Sequence, residues 1–128
     1  VTVLLDTSVL IDVLRNRGEV AAEVAGMVRE HGHTLAISVM TVGEVYAGMR
    51  GGEETKTEGL LSSLECYAIT EGIARRAGEM RNSWRRLGRT LELADLMIAA
   101  TVLEHGLALM TDNRKDFPMP ELRFYPVR

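Results

Sequence analysis

The sequence predicts a three-layer α/β/α domain with a mostly parallel central sheet, and three observations carry that expectation. Short apolar or β-branched runs alternate with longer stretches of helical spacing, the order that builds parallel sheets. The short runs are apolar throughout rather than at every second residue, as strands covered on both faces are. Capping residues and glycines fall at the junctions.

Residues 1–5 are the first such run and predict a buried strand. Residues 7–16 carry Val9, Leu10, Val13 and Leu14 at helical spacing, and Gly18 interrupts them. A second amphipathic helix is expected over 19–31, with Val20, Val24, Met27 and Val28 on one side. Thr34–Ser38 predicts the second strand, followed by a helix over 39–50 that Gly51 and Gly52 end. Residues 53–65 predict a polar helix with Leu60, Leu61 and Leu64 together, and 66–69 a third strand.

Thr70 is suited to cap a long helix reaching about Leu87 and closed by Gly88. A largely apolar helix is expected over 94–105 with Gly106 as its stop, then a fourth strand over 107–110. Pro118 and Pro120 confine their segment to loop, and 123–127 is a candidate edge strand. No linker, low-complexity tract or internal repeat divides the chain, so one domain spanning 1–128 is expected.

Bulk properties exclude several classes. With 128 residues, 46% hydrophobic and 26% charged, the chain buries a sufficient core without staples. A single cysteine, Cys66, excludes an internal disulfide framework and a four-thiolate zinc site within one chain. The longest apolar run, 96–103, is far short of a membrane span. Residues 1–6 have neither a basic lead nor a cleavage pattern, and the expectation is a soluble, cytoplasmic protein. A formal charge of −3 argues against a protein that simply coats nucleic acid. Of the 15 basic residues only Lys56 and Lys115 are lysine, and arginine suits phosphate recognition.

The acids are the informative feature. Asp6 follows the first strand, Glu44 lies in the helix after the second, Asp95 opens the apolar helix, and Asp112 follows the fourth strand. In an open parallel sheet these positions face one crevice at the carboxyl ends of the strands. Each acid has a plainer reading: Asp6 as a helix cap, Glu44 as the end of a Thr41-x-x-Glu44 capping box, Asp95 as a partner of the helix dipole, Asp112-Asn113 as a turn pair. Those readings do not predict that all four share one edge. Carboxylates so gathered repel one another, and a hard divalent cation with oxygen ligands relieves the repulsion. Mg²⁺ held this way activates a bound water and stabilises charge on a phosphodiester. His31, His33 and His105 fall away from the crevice and are expected to be solvated.

The chain resembles the PIN-domain ribonucleases, and among them the VapC-type toxins of toxin–antitoxin pairs. The resemblance spans nearly the whole length. It rests on Leu4-Leu5-Asp6-Thr7-Ser8-Val9-Leu10-Ile11-Asp12, Ser38-Val39-Met40-Thr41-Val42-Gly43-Glu44-Val45, Leu93-Ala94-Asp95-Leu96-Met97-Ile98-Ala99-Ala100-Thr101, and Leu109-Met110-Thr111-Asp112-Asn113-Arg114-Lys115-Asp116-Phe117. It implies a PIN-like fold and a metal-dependent endoribonuclease, with Asp6, Glu44, Asp95 and Asn113 as catalytic residues. Mg²⁺, with Mn²⁺ as a substitute, is implied on Asp6 and Asp95, with Glu44 holding or deprotonating a water. The fourth acid of the family pattern is replaced by Asn113, so Asp112, Asn113 and Asp116 are the alternatives for the residue that completes the metal shell. Thr7, Ser8 and Thr111 are expected to orient the acids from behind.

RNA is the implied substrate, and Arg114 and Lys115 beside the crevice are candidates for its phosphates. Arg81 and Arg85, in a stripe with Arg89 and flanked by Arg75, Arg76 and Arg86, are further candidates; the alternative is a solvated face paired with Glu71 and Glu79. Trp84 and the methionines, including Met40, Met49, Met97 and Met110, fit the core better than a recognition surface. The resemblance further implies a homodimer and a VapB-type antitoxin that binds apolar helix faces and sets an arginine near the acids. Two other readings share the residues: an RNA-processing nuclease that is not a toxin, and a catalytically silent PIN scaffold. A receiver or dehalogenase-like phosphatase is excluded, because Asp6-Thr7-Ser8 lacks the second aspartate and Lys115 sits in the wrong context.

Overall fold

The computed structural model describes residues 1–126. Its elements in chain order are β1 (Thr2–Leu5), α1 (Thr7–Leu14), α2 (Val20–Arg29), β2 (Thr34–Ser38), α3 (Val39–Ala47), α4 (Glu54–Ser62), β3 (Glu65–Tyr67), α5 (Glu71–Arg86), α6 (Leu93–His105) and β4 (Ala108–Met110). A single 3₁₀ turn, Arg114–Asp116, follows. The four strands form one sheet in the order β3-β2-β1-β4, and every pairing is parallel. The expected three-layer α/β architecture is the one observed.

Alternation along β1 explains the layers. Val3 and Leu5 point into a core shared with Val9 and Leu10 of α1, Val24 and Met27 of α2, and Val45 of α3. Leu4 points the other way, into a core with Ile73 and Ala77 of α5 and Leu96, Ala99 and Ala100 of α6. All three β1 side chains are at most 1% exposed, which is why the run is apolar throughout. Gly106 ends α6 with φ 63° and ψ 40°, a left-handed conformation that lets the chain turn directly into β4. No helix among the described residues is long and apolar enough to cross a membrane.

Three local expectations need correction. The third strand is Glu65–Tyr67 rather than 66–69; it lies at the sheet edge with Glu65 and Cys66 exposed, so no apolar pattern marked its start. The helix after β2 ends at Ala47 with Gly48 as its cap, three residues before Gly51. The candidate edge strand over 123–127 reduces to one bridge between Phe124 and Leu109, held by two backbone hydrogen bonds of 2.8 Å; Val127 lies outside the described residues.

Candidate active site

β1 and β4 are neighbours, so the residues that follow each strand meet at the carboxyl edge of the sheet. Asp6 is 5% exposed and caps α1, its Oδ1 accepting from Thr7 N–H at 2.8 Å. Its Oδ2 accepts from Thr111 Oγ1 at 2.7 Å and from Ser8 Oγ at 3.2 Å. Asp6 therefore caps α1 without using its whole carboxylate. A carboxylate has about four acceptor directions. With three of them taken, Asp6 is fixed in orientation and keeps one to offer.

Glu44 is not part of a capping box. Ser38 caps α3, its Oγ accepting from Met40 N–H at 3.1 Å, and Thr41 is buried inside the helix. Thr7 Oγ1 donates instead to Glu44 Oε1 at 2.6 Å and lies 3.0 Å from Thr41 Oγ1. The Thr–Glu spacing that suggested a cap serves a contact with α1.

Asp95, in the first turn of α6, is half-buried. Burial, followed by the charges of Asp6, Asp116, Glu44 and Glu92, pushes its carboxyl up to about 6. The named charges trace the site: three further acids, from the end of β1, α3 and the 3₁₀ turn, act on one carboxyl. Glu92, exposed at the N-cap of α6, is a fifth acid that the sequence reading passed over; its place three residues before Asp95 was the available signal.

Asp112 is paired with Asp12 and also feels Asp6. A hydrogen bond with Asp12 is the main cause that raises its carboxyl to about 6, followed by burial and the charges of Asp12, Asp6 and Glu23. It lines a cleft with Glu19, Glu23 and Arg114. Asn113 is exposed and contributes its backbone, the N–H donating to Thr111 Oγ1 at 3.0 Å. That bond aims the Thr111 hydroxyl hydrogen at Asp6.

The basic residues divide. Arg114 Nη2 donates to the Pro126 carbonyl at 2.6 Å, and the guanidinium lies 4.8 Å from the centre of the Phe124 ring, so its side chain is occupied by the C-terminal segment. Lys115 is exposed, and its carbonyl accepts from Arg89. On α5, Arg75 pairs with Glu71 at 2.6 Å and Arg76 with Glu104 at 3.5 Å, while Arg85 bonds Asn82. Arg81 is half-buried with its Nε unpartnered among the described residues. Trp84 packs against the core, as expected. His31 and His105 are exposed, but His33 is half-buried, edge-on to Tyr125 at 5.2 Å; none of the three is at the site.

Among the described residues, no three Asp, Glu, His or Cys side chains are gathered closely enough to hold an ion as they stand. The chemistry of the donors nonetheless fits a hard cation: every candidate ligand is an oxygen, and burial followed by the charges of neighbouring acids raises the Asp95 carboxyl.

A parallel α/β domain with acids brought together beyond β1, in α3, at the start of α6 and after β4 defines a known class. The sequence pattern of the PIN domain matches residues 3–119. The chain belongs to the PIN-domain family and is of the VapC type. It is 41% identical to ribonuclease VapC10 of Mycobacterium tuberculosis, over 93% of this chain and 88% of that one. With ribonuclease VapC19 of the same organism it shares 32% identity, over 94% and 96% of the two chains. Among solved structures, a toxin–antitoxin complex from Klebsiella pneumoniae superposes with a TM-score of 0.75 at 31% identity, covering 93% of this chain and 92% of that one. VapBC2 from Rickettsia felis superposes with a TM-score of 0.83 over 97% of both chains; at 21% identity it speaks for the fold alone.

Proposed function

We propose that this chain is a Mg²⁺- or Mn²⁺-dependent endoribonuclease acting as the toxin of a type II toxin–antitoxin pair. The observation that carries the reading is the edge of the sheet where Thr111 holds Asp6 and Thr7 holds Glu44, with the charges of Asp6, Asp116 and Glu44 reaching the half-buried Asp95. Asp6 and Asp95 are the residues to hold the ion, with Asp116 rather than Asp112 beside them. When bound, such an ion acidifies a water and offsets charge building on a phosphodiester. Glu44, exposed and held by Thr7, accepts the proton of the attacking water. Thr111 and Ser8 keep the Asp6 carboxylate from rotating, and Asn113 acts through the backbone that orients Thr111. Lys115, exposed next to Asp116, is placed to meet an RNA phosphate.

A VapB-type antitoxin is the proposed partner. An open groove between α1, α2, α4 and β2, lined by Val13, Val24, Val28, Leu35, Leu60 and Leu64, supports a partner that presents an apolar helix. A homodimer and a cytoplasmic location complete the proposal. The silent scaffold draws support from one observation, the absence of a ready-made three-acid ion group among the described residues.

The deciding experiment is cleavage of a mixed cellular RNA pool by the purified protein with Mg²⁺, Mn²⁺ or EDTA, with Asp6→Asn alongside. Metal-dependent cutting that the variant lacks supports the nuclease. No cutting by folded, antitoxin-free protein under either metal favours the scaffold. Growth arrest on expression separates a toxin from an RNA-processing nuclease.

A further inference from the structure

Thr41 has no place in the reaction as described so far, yet its hydroxyl is fully buried at the edge of the site. A buried hydroxyl needs a partner. On a helix the usual one is the carbonyl four residues back, and Thr101 on α6, equally buried, donates to Met97 O in that way at 2.7 Å. Thr41 stands in the first turn of α3, where the residue four back, Ile37, belongs to β2, and it makes no such bond among the described residues. Its one side-chain hydrogen bond among the described residues is with Thr7 Oγ1 at 3.0 Å, in which either oxygen is able to donate.

Proton counting resolves the direction. Thr7 has one hydroxyl hydrogen, and the short contact of 2.6 Å to Glu44 Oε1 claims it, since a bond to a carboxylate is the stronger of the two. Thr7 Oγ1 is then only an acceptor toward Thr41. The hydrogen on Thr41 must therefore point at Thr7, giving a one-way chain from Thr41 through Thr7 to Glu44. Thr41 and Glu44 share α3 three residues apart, whereas Thr7 opens α1. The chain thus ties an exposed carboxylate on one helix to a buried anchor through the other.

We propose that Thr41 is a positioning residue for Glu44: its buried hydroxyl donates to Thr7 Oγ1, and that bond fixes and strengthens the one Thr7 donates to the Glu44 carboxylate. The consequence for catalysis rests on the reading of Glu44 as the proton acceptor; the relay itself does not. Removing the Thr41 hydroxyl takes away the donor that anchors Thr7 Oγ1, so the bond from Thr7 to Glu44 is weaker and less fixed in direction.

Two measurements on the full chain test this separately. In urea unfolding, a double-mutant cycle of Thr41→Val with Glu44→Ala should be non-additive by at least about 2-fold in the unfolding constant, because the groups share one network. Glu44 is exposed, so its truncation leaves the fold intact. Additive effects overturn the relay. In RNA cleavage, Thr41→Val should lower kcat by about 10-fold or more, and Thr41→Ser should restore most of the loss. KM should stay within about 2-fold, since no substrate contact is removed. Wild-type kcat in folded Thr41→Val overturns the positioning role. An inert wild type together with a non-additive cycle overturns the nuclease reading and leaves the relay standing.

Discussion

Thr111 and Asp6 stand 105 residues apart in sequence, yet the Thr111 hydroxyl donates to Asp6 Oδ2 at 2.7 Å. The bond joins the residue after the last strand to the residue after the first. It exists because β1 and β4 pair in parallel, with Leu5 opposite Met110, and Asp6 N–H then continues the pairing onto the Met110 carbonyl at 2.9 Å. Sheet topology sets the distance, and the side chains use it. Asp6 consequently has two duties, capping α1 and presenting one carboxylate direction to the site.

The two duties separate under substitution. Asparagine caps a helix about as well as aspartate, so Asp6→Asn should fold and melt close to wild type. Its loss of charge should lower RNA cleavage by more than about 100-fold, beyond the range of losses from outer partners. Thr111→Val removes only the orienting bond, and a loss of about 10-fold that Thr111→Ser repairs is expected. Cleavage rates and melting curves on the three variants check this; full activity in folded Asp6→Asn would refute the assignment.

Asp95 links pH to stability. Its carboxyl, raised to about 6 by burial and by Asp6, Asp116, Glu44 and Glu92, ionises near 3.8 once the chain unfolds. Between those values the folded protein binds more protons than the unfolded one, so this group's contribution to stability falls as pH rises through the window. Asp112, bonded to Asp12, acts in the same direction. In EDTA the Tm should therefore decline from about pH 4 to pH 6, and Asp95→Asn should flatten the decline. Mg²⁺ should raise Tm more above the window than below it, because the ion binds the ionised form. A metal response independent of pH would contradict this account.

Asp116 and Asp112 are distinguished by their neighbours. Asp116 acts on Asp95, while Asp112 shares a hydrogen with Asp12 on the side of Glu19 and Glu23. Asp116→Asn should weaken Mn²⁺ binding and cleavage by about 10-fold. Asp112→Asn should retain most cleavage and melt higher at neutral pH, where it removes a carboxyl that resists ionisation. Titration calorimetry with Mn²⁺ orders the pair, and the reverse ranking would return Asp112 to the metal shell.

Much of this was legible in the chain because it is local. The wholly apolar strands, the Thr70 cap bonded to Ile73 N–H at 3.2 Å and the Gly106 stop are properties of neighbouring residues. The edge placement of Asp6, Glu44 and Asp95 follows from strand order. What escaped depends on partners distant in sequence. Thr41 fitted a cap by spacing, but Ser38 holds that position and Thr7 claims the hydroxyl. The pairing of Asp112 with Asp12, a full helix turn and more beyond Asp6, was likewise not legible from the turn pair Asp112-Asn113. Three-residue β3 starts one residue and ends two residues earlier than expected, because an exposed edge strand carries little apolar signal.

Arg114 and Lys115 are adjacent and equally charged, but they should answer differently to neutralisation. The Arg114 guanidinium is spent on the Pro126 carbonyl and the Phe124 ring, and Phe124 itself bridges to β4. Arg114→Met should therefore lower stability by about 1–2 kcal/mol, with little change in how RNA affinity depends on salt. Lys115 is exposed, and Arg89 holds its backbone rather than its ammonium. Lys115→Met should leave Tm unchanged and reduce the slope of log K against log salt by about 0.7, the value for one phosphate contact on a single strand. RNA binding by the Asp6→Asn background across a salt series, with Tm for each variant, reads both. If Arg114→Met flattened the slope while Lys115→Met did not, the phosphate contact would belong to the residue that is tied down, and the C-terminal segment would have to release it when RNA binds.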